Sequence, residues 1–230
     1  MLERGRHVNF GQLKLLRMHE KALKHLAAAD PVMGRLIAEV GGCRLRADRR
    51  QTPFEALVEA VAHQQLTGKA AQTILGRVKA LHPQKTFPTP DDLLGTPEEH
   101  LRAAGLSRAK TMAVKDISAK TLAGLVPDAP ALLVLHDDEI VERLTVVRGV
   151  GRWTVEMLLI FKLGRMDVLP VDDYGVRKGF ALTYRKRELP KPKVLLAHGE
   201  RWRPYRSIAS WYLWRSVDLH KAQAKPKLKP

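Results

Sequence analysis

The chain has 230 residues, enough for one domain or two small lobes around a buried core. Hydrophobic residues make up 45%, which excludes wholesale disorder, and 40 Lys plus Arg against 24 Asp plus Glu leave a charge of +16 that favours a polyanionic partner. A lone cysteine, Cys43, excludes an internal disulfide and any four-cysteine zinc site or iron–sulfur cluster. No run reaches the length of a membrane span and MLERGRHVNF lacks the apolar centre of a secretory signal, so a cytoplasmic protein with no membrane partner is expected.

Residues 1 to 9 read as a loose leader. Phe10 to Ala29 places Leu13, Leu16, Leu23 and Leu26 at helical spacing, an amphipathic helix. Asp30 as N-cap and Pro31 in the first turn open a second helix, which runs to about Val40 and ends at Gly41-Gly42. Thr52-Pro53-Phe54-Glu55 matches a capping box and starts a helix through Leu57, Val58, Val61 and Ala62. That helix ends in His63-Gln64-Gln65-Leu66-Thr67-Gly68, where the glycine marks a break before a helix from Lys69 to Leu81. Two amides closing an apolar helix are unusual, and hydrogen bonding at the helix end is their ordinary use.

His82 to Pro90 is a proline-rich connector. Thr96-Pro97-Glu98-Glu99 repeats the capping pattern, and the short helix behind it stops at Gly105. Ser107 caps a longer helix to about Leu125, Pro127 to Pro130 break the chain, and Asp137 or Asp138 opens the next helix. Glu139 to Val147 and Arg152 to Leu163 both carry apolar residues at helical spacing, and Gly149-Val150-Gly151 between them reads as a tight hairpin. The first N–H groups of the second helix then sit in a glycine-lined turn suited to a phosphate oxygen.

Pro170-Val171-Asp172-Asp173-Tyr174 places two carboxylates at a helix start. One can cap it, leaving the other beside the positive end of the helix dipole. Lys186 to Lys193 reads as an exposed loop, residues 194 to 201 as a short helix, and Pro204 to Leu219 as a longer one holding Trp211, Tyr212 and Trp214. Residues 220 to 230 read as a basic, disordered tail. From Arg185 onward 13 basic residues face 3 acidic ones. With no alternating strand pattern beyond a few residues, the chain is expected to be all-α.

The order HQQLTGKAA, VRGVGRWT, LPVDDYGVRK and WRPYRS resembles the helix-hairpin-helix, Gly/Pro-Asp superfamily of DNA base-excision glycosylases over roughly residues 20 to 218. The Trp after GVGR and the doubled Asp before Tyr are most similar to its branch that excises alkylated purines. The resemblance implies two helical lobes without the N-terminal β-sheet domain of longer relatives. One lobe would span 53–165 and include the helix-hairpin-helix at 139–163; the other would join residues 1–52 to 166–219, with the active cleft between them.

It further implies a monofunctional glycosylase acting on 3-methyladenine and 7-methylguanine after base flipping, leaving an abasic site. Asp173 falls on the catalytic position, and Asp172 is then the helix cap. Trp153, Met157, Tyr174 and Trp214 would line the base pocket, with Met157 where a Tyr is usual. Gln65 would fill the gap in the DNA, with Gln64 beside it. Arg148 (in place of a hairpin proline), Gly149, Gly151 and Arg152 would hold phosphate, and Lys69 would do so across the cleft.

Bifunctional relatives carry a Lys nucleophile where this chain has Trp153, so water is the expected nucleophile. The carbonyls of Thr145, Val147 and Val150 would take Na+ or K+, and no cofactor is required. The expected partner is double-stranded DNA with a damaged base, bound by a monomer. A glycosylase of this fold for uracil, hypoxanthine or ethenoadenine, and a non-catalytic DNA-binding module, are the alternatives.

Overall fold

The computed structural model describes residues 10–224; the leader at 1–9 and the end of the basic tail at 225–230 lie outside the described residues. Every regular element among the described residues is helical. No helix among them is long and apolar enough to cross a membrane. The chain forms two compact units: a continuous one from Arg46 to Arg165, and a split one made of the residues up to Leu45 and those from Met166 onward.

In the continuous unit, α3 (Pro53–His63) opens on the expected capping box. Thr52 Oγ1 accepts from Glu55 N at 3.2 Å, and Glu55 Oε2 accepts from Thr52 N at 2.9 Å. Next, α4 (Gly68–Ala80) is capped by Thr67, so Gly68 is its first residue rather than a break before it. The proline-rich connector ends in an unexpected helix, α5 (Pro90–Gly95), with its own capping box between Thr89 and Asp92.

That helix also takes the cap expected for α6 (Glu98–Ala103). Thr96 closes α5, its hydroxyl donating to Asp92 O at 2.7 Å, and α6 starts at Pro97 without a side-chain cap. Ser107 caps α7 (Arg108–Leu122) as expected. The Pro127–Pro130 break holds a short α8 (Ala129–Leu133) capped by Asp128, because proline is tolerated in a first helical turn. The unit closes with α9 (Asp137–Thr145) and α10 (Arg152–Leu158), and α10 runs on as one π turn, Leu159–Leu163. α7 is its centre, packing against α3 and α5, with Val114 and Ile117 of α7, Leu57 and Val61 of α3 and Leu93 of α5 all buried. Each such fully buried side chain contributes about 1.5–3 kcal/mol.

The split unit contains α1 (Phe10–Ala29), α2 (Pro31–Val40), α11 (Tyr174–Thr183), α12 (Pro192–Gly199) with a 3-10 turn (Glu200–Trp202), and α13 (Arg206–Ala224). Residues 220–224, read from the sequence as tail, belong to α13, whose helical pattern simply continues. α11 and α13 cross at Gly179, where a Cβ would stand 2.0 Å from Leu213 O. Only glycine permits that approach.

Asp30, 2% exposed, ties the unit together. Its Oδ1 caps α2 by accepting from Val32 N and Met33 N, and its Oδ2 accepts from Tyr184 Oη at 2.6 Å, His198 Nε2 at 3.0 Å and Trp202 Nε1 at 3.1 Å. Burial pushes the Asp30 carboxyl up, but these donors outweigh it and hold it below the usual carboxylate range. Burial likewise pushes His198 below the ordinary histidine value, against the pull of its bond to Asp30.

Candidate functional site

The turn between α9 and α10 is built for close approach. Val150 N donates to Val147 O at 3.0 Å, and Gly149 adopts φ +77°, a left-handed conformation that disfavours any side chain. A Cβ there would also stand 2.8 Å from Ala113 Cβ on α7. Gly151, with φ −90°, is the N-cap of α10, so only one of the two glycines is demanded by backbone conformation.

Arg148 N donates to Asp116 Oδ2 at 2.7 Å, and Lys120 Nζ donates both to that oxygen and to Val146 O, each at 2.7 Å. Burial pushes Asp116 up, yet the bonds from Lys120 and the Arg148 N–H prevail and lower it. The Arg148 and Arg152 side chains are exposed, and Arg152 lies 3.3 Å from Glu156. Lys69, expected across a cleft from the hairpin, belongs instead to the same compact unit, exposed in the first turn of α4.

The two glutamines after α3 play different parts. Gln64 Nε2 donates to Gly149 O at 2.9 Å, tying this turn to the hairpin. Gln65 is exposed and held at φ +58°, a conformation that is costly for a residue with a Cβ. Lys110 Nζ, which sequence reasoning missed, donates to Ala62 O at 2.9 Å and Gln64 O at 2.7 Å.

On α10, Trp153 is 42% exposed, and Met157 follows one turn later on the same face. Met157 lines a concavity of about 210 Å³ together with Ala60, His63, Phe161 and Lys162. His63 Nδ1 donates to Glu59 O at 2.8 Å, which fixes its ring.

In the split unit the capping role expected of Asp172 is corrected. Asp173, not Asp172, is the N-cap of α11: its Oδ1 accepts from Val176 N at 2.7 Å, while Asp172 is exposed in the preceding turn. The turn closed by Asp173 N on Pro170 O at 3.1 Å brings the second aspartate to the helix start. The same Asp173 Oδ1 accepts from Trp214 Nε1 at 2.8 Å, so the Trp214 indole orients the carboxylate. Tyr174 beside it is 67% exposed.

The segment leading to Asp173 is stitched to the start of α13. Asp167 pairs with Arg206 at 2.7 Å and with Arg203 at 2.7 Å, and Val168 N donates to Ser207 Oγ at 3.0 Å. Its only sequence trace is the polar WRPYRS stretch ahead of an apolar helix.

Described residues whose regular elements are all helical, a glycine hairpin between two of those helices, and an oriented aspartate capping a helix 22 residues past Gly151 define a helix-hairpin-helix DNA-repair protein. Residues 58–204 match the model of the HhH-GPD superfamily base excision DNA repair protein, and the chain belongs to that superfamily.

It is 41% identical over 200 residues to DNA-3-methyladenine glycosylase 1 of Schizosaccharomyces pombe, covering 86% of this chain and 88% of that one. A solved structure of the Schizosaccharomyces pombe 3-methyladenine DNA glycosylase Mag1, in complex with abasic DNA, superposes with a TM-score of 0.78 at 40% identity, over 86% of this chain and 97% of that chain. A DNA-3-methyladenine glycosidase from Bacillus halodurans gives a TM-score of 0.79 at 33% identity, over 88% and 91% of the two chains.

Proposed function

We infer that this chain is a monofunctional DNA glycosylase that hydrolyses the N-glycosidic bond of alkylated purines, 3-methyladenine and 7-methylguanine, and leaves an abasic site. The observation that carries this is Asp173, a half-buried carboxylate at a helix start, oriented by two N–H donors on one oxygen. Breaking the C1′–N bond builds positive charge on the sugar. An N-alkylated purine already carries positive charge, so its departure needs little acid assistance. One carboxylate beside the sugar stabilises the oxocarbenium-like transition state and orients the attacking water.

Base extrusion costs a few kcal/mol and is cheapest for damaged bases. Gln65, exposed at its turn, fills the vacated stack, and Gln64 holds that turn against the hairpin. The N–H groups of Gly149 and Gly151 grip the strand phosphate, with Arg148, Arg152 and Lys69 adding charge. In the continuous unit Trp153 presents an electron-rich face to a cationic base with Met157 one turn on, and in the split unit Tyr174 and Trp214 flank the Asp173 carboxylate. With Trp153 in place of a nucleophilic lysine, water attacks the sugar and the strand stays intact.

The carbonyls of Thr145 at the end of α9 and of Val147 and Val150 in the hairpin are hard oxygen donors that would hold a monovalent cation. Such an ion would add positive charge under the phosphate. We place the protein in the cytoplasm, on nucleoid DNA. The test is a panel of single-lesion duplexes with released base and alkali-labile sites as readout. Release from 7-methylguanine or 3-methyladenine duplexes, without direct strand cleavage, is expected. Release confined to uracil or hypoxanthine would replace the lesion class, and no release from any lesion would leave a DNA-binding module.

A further inference from the structure

One face of α7 carries Lys110, Ala113, Asp116 and Lys120, at spacings that bring side chains into line along a helix. Each meets one of two turns. Lys110 Nζ donates to Ala62 O and Gln64 O, carbonyls at the end of α3 that lack partners within the helix. Its ammonium also sits at the negative end of that helix dipole. Ala113 lies under Gly149, Asp116 accepts the Arg148 N–H, and Lys120 reaches Val146 O. Gln64 Nε2 then joins the two turns directly at Gly149 O.

We propose that Lys110 is a positioning residue for base extrusion. By clamping the turn of Gln64 and Gln65 to α7, it makes that turn and the glycine hairpin one rigid part. The strain at Gln65 gives the clamp its purpose: φ +58° relaxes in a turn that nothing holds, and the side chain entering the duplex loses its aim. Lys110 is itself half-buried and spends two of its three donors on carbonyls, so it is not a phosphate contact. Burial also pushes its ammonium below the usual lysine value, the mark of an internal tie rather than a solvated charge. The inference rests on the glycosylase reading above, because it assigns Lys110 to the step in which the base leaves the stack.

The test compares wild-type protein with Lys110→Met, which keeps the chain length, and Lys110→Arg, which keeps the charge. Single-turnover release of 7-methylguanine is measured opposite cytosine and opposite an abasic site, where no paired base must be parted. Lys110→Met should lose about tenfold opposite cytosine, the worth of one charge-assisted clamp, and less than about twofold opposite the abasic site. Its Kd for undamaged duplex should stay within about twofold, because phosphate contacts set that affinity. Lys110→Arg should recover most of the loss.

Equal losses opposite both partners, or no loss opposite cytosine, would overturn the proposal. Wild-type protein that releases no base would instead refute the glycosylase reading. The fluorescence of 2-aminopurine as the extruded base still decides the clamp in that case: a weaker rise with Lys110→Met supports it, and an equal rise overturns it.

Discussion

Replacing Asp173 with Asn separates its two duties, because the bonds from Val176 N and Trp214 Nε1 fall on one oxygen. Oδ1 accepts from Val176 N at 2.7 Å and from Trp214 Nε1 at 2.8 Å, and asparagine keeps a carbonyl oxygen able to do both. Asn and Asp cap helices about equally well, so folding stability should change by no more than about 0.5 kcal/mol. The charge, however, is gone. A carboxylate about 4 Å from a full positive charge at an effective dielectric near 20 contributes about 4 kcal/mol, roughly a thousandfold in rate.

Asp173→Ala should behave differently. It loses the cap, about 1 kcal/mol, and leaves the Trp214 N–H without this acceptor, about 1–3 kcal/mol more. Single-turnover release from methylated duplex and thermal unfolding, measured on both variants, give the two axes. Release by Asp173→Asn at the wild-type rate would refute the electrostatic account. Asp173→Asn as unstable as Asp173→Ala would refute the assignment of both bonds to one oxygen.

Trp153→Ala should slow excision of cationic bases by about 1–2 kcal/mol while leaving the Kd for undamaged duplex nearly unchanged, since a cation over an indole face is worth that much when desolvated. Equal losses in the two assays would make Trp153 a packing residue. Gly179→Ala forces a Cβ against Leu213 O at the α11–α13 crossing and should cost more than about 3 kcal/mol, read as a large fall in Tm or loss of folded protein; near-wild-type unfolding would contradict the close approach.

Thermal stability should fall as pH drops from 7. The His198 pKa is depressed in the fold, so its contribution is full above the ordinary value near 6.5 and is lost as pH falls towards the folded one. Asp30, also depressed, adds a second loss below about 4, as pH falls through its folded value. Tm measured against pH checks this, and His198→Gln should flatten the slope below pH 6.5; a Tm that rises on acidification would reverse the assigned directions.

What could be read from the chain was local. Capping boxes, glycine stops and apolar spacing act within one turn of helix, which is why Asp30, Thr52 and Ser107 stand where their spacing placed them. Where two neighbours competed for one task, local reading failed. Thr96 closed α5 instead of opening α6, and Asp173 rather than Asp172 became the cap, because the turn at Pro170 decides which carboxylate meets the helix.

The motif residues, Gly149, Gly151 and Asp173 among them, were legible because their spacing along the chain is itself the signal. Their supports were not. Lys110 lies 48 and 46 residues from the two carbonyls it clamps, Asp116 lies 32 from the Arg148 N–H, and Trp214 lies 41 from Asp173. A charged side chain on a helix reads as solvated until packing shows what it faces. Sequence alone therefore determined most of the helices, short α5 and α8 excepted, and the order of their turns, since those depend on neighbours along the chain. Which polar groups were drawn from water to hold those turns was decided only by the tertiary fold, because desolvation and hydrogen bonding depend on neighbours in space.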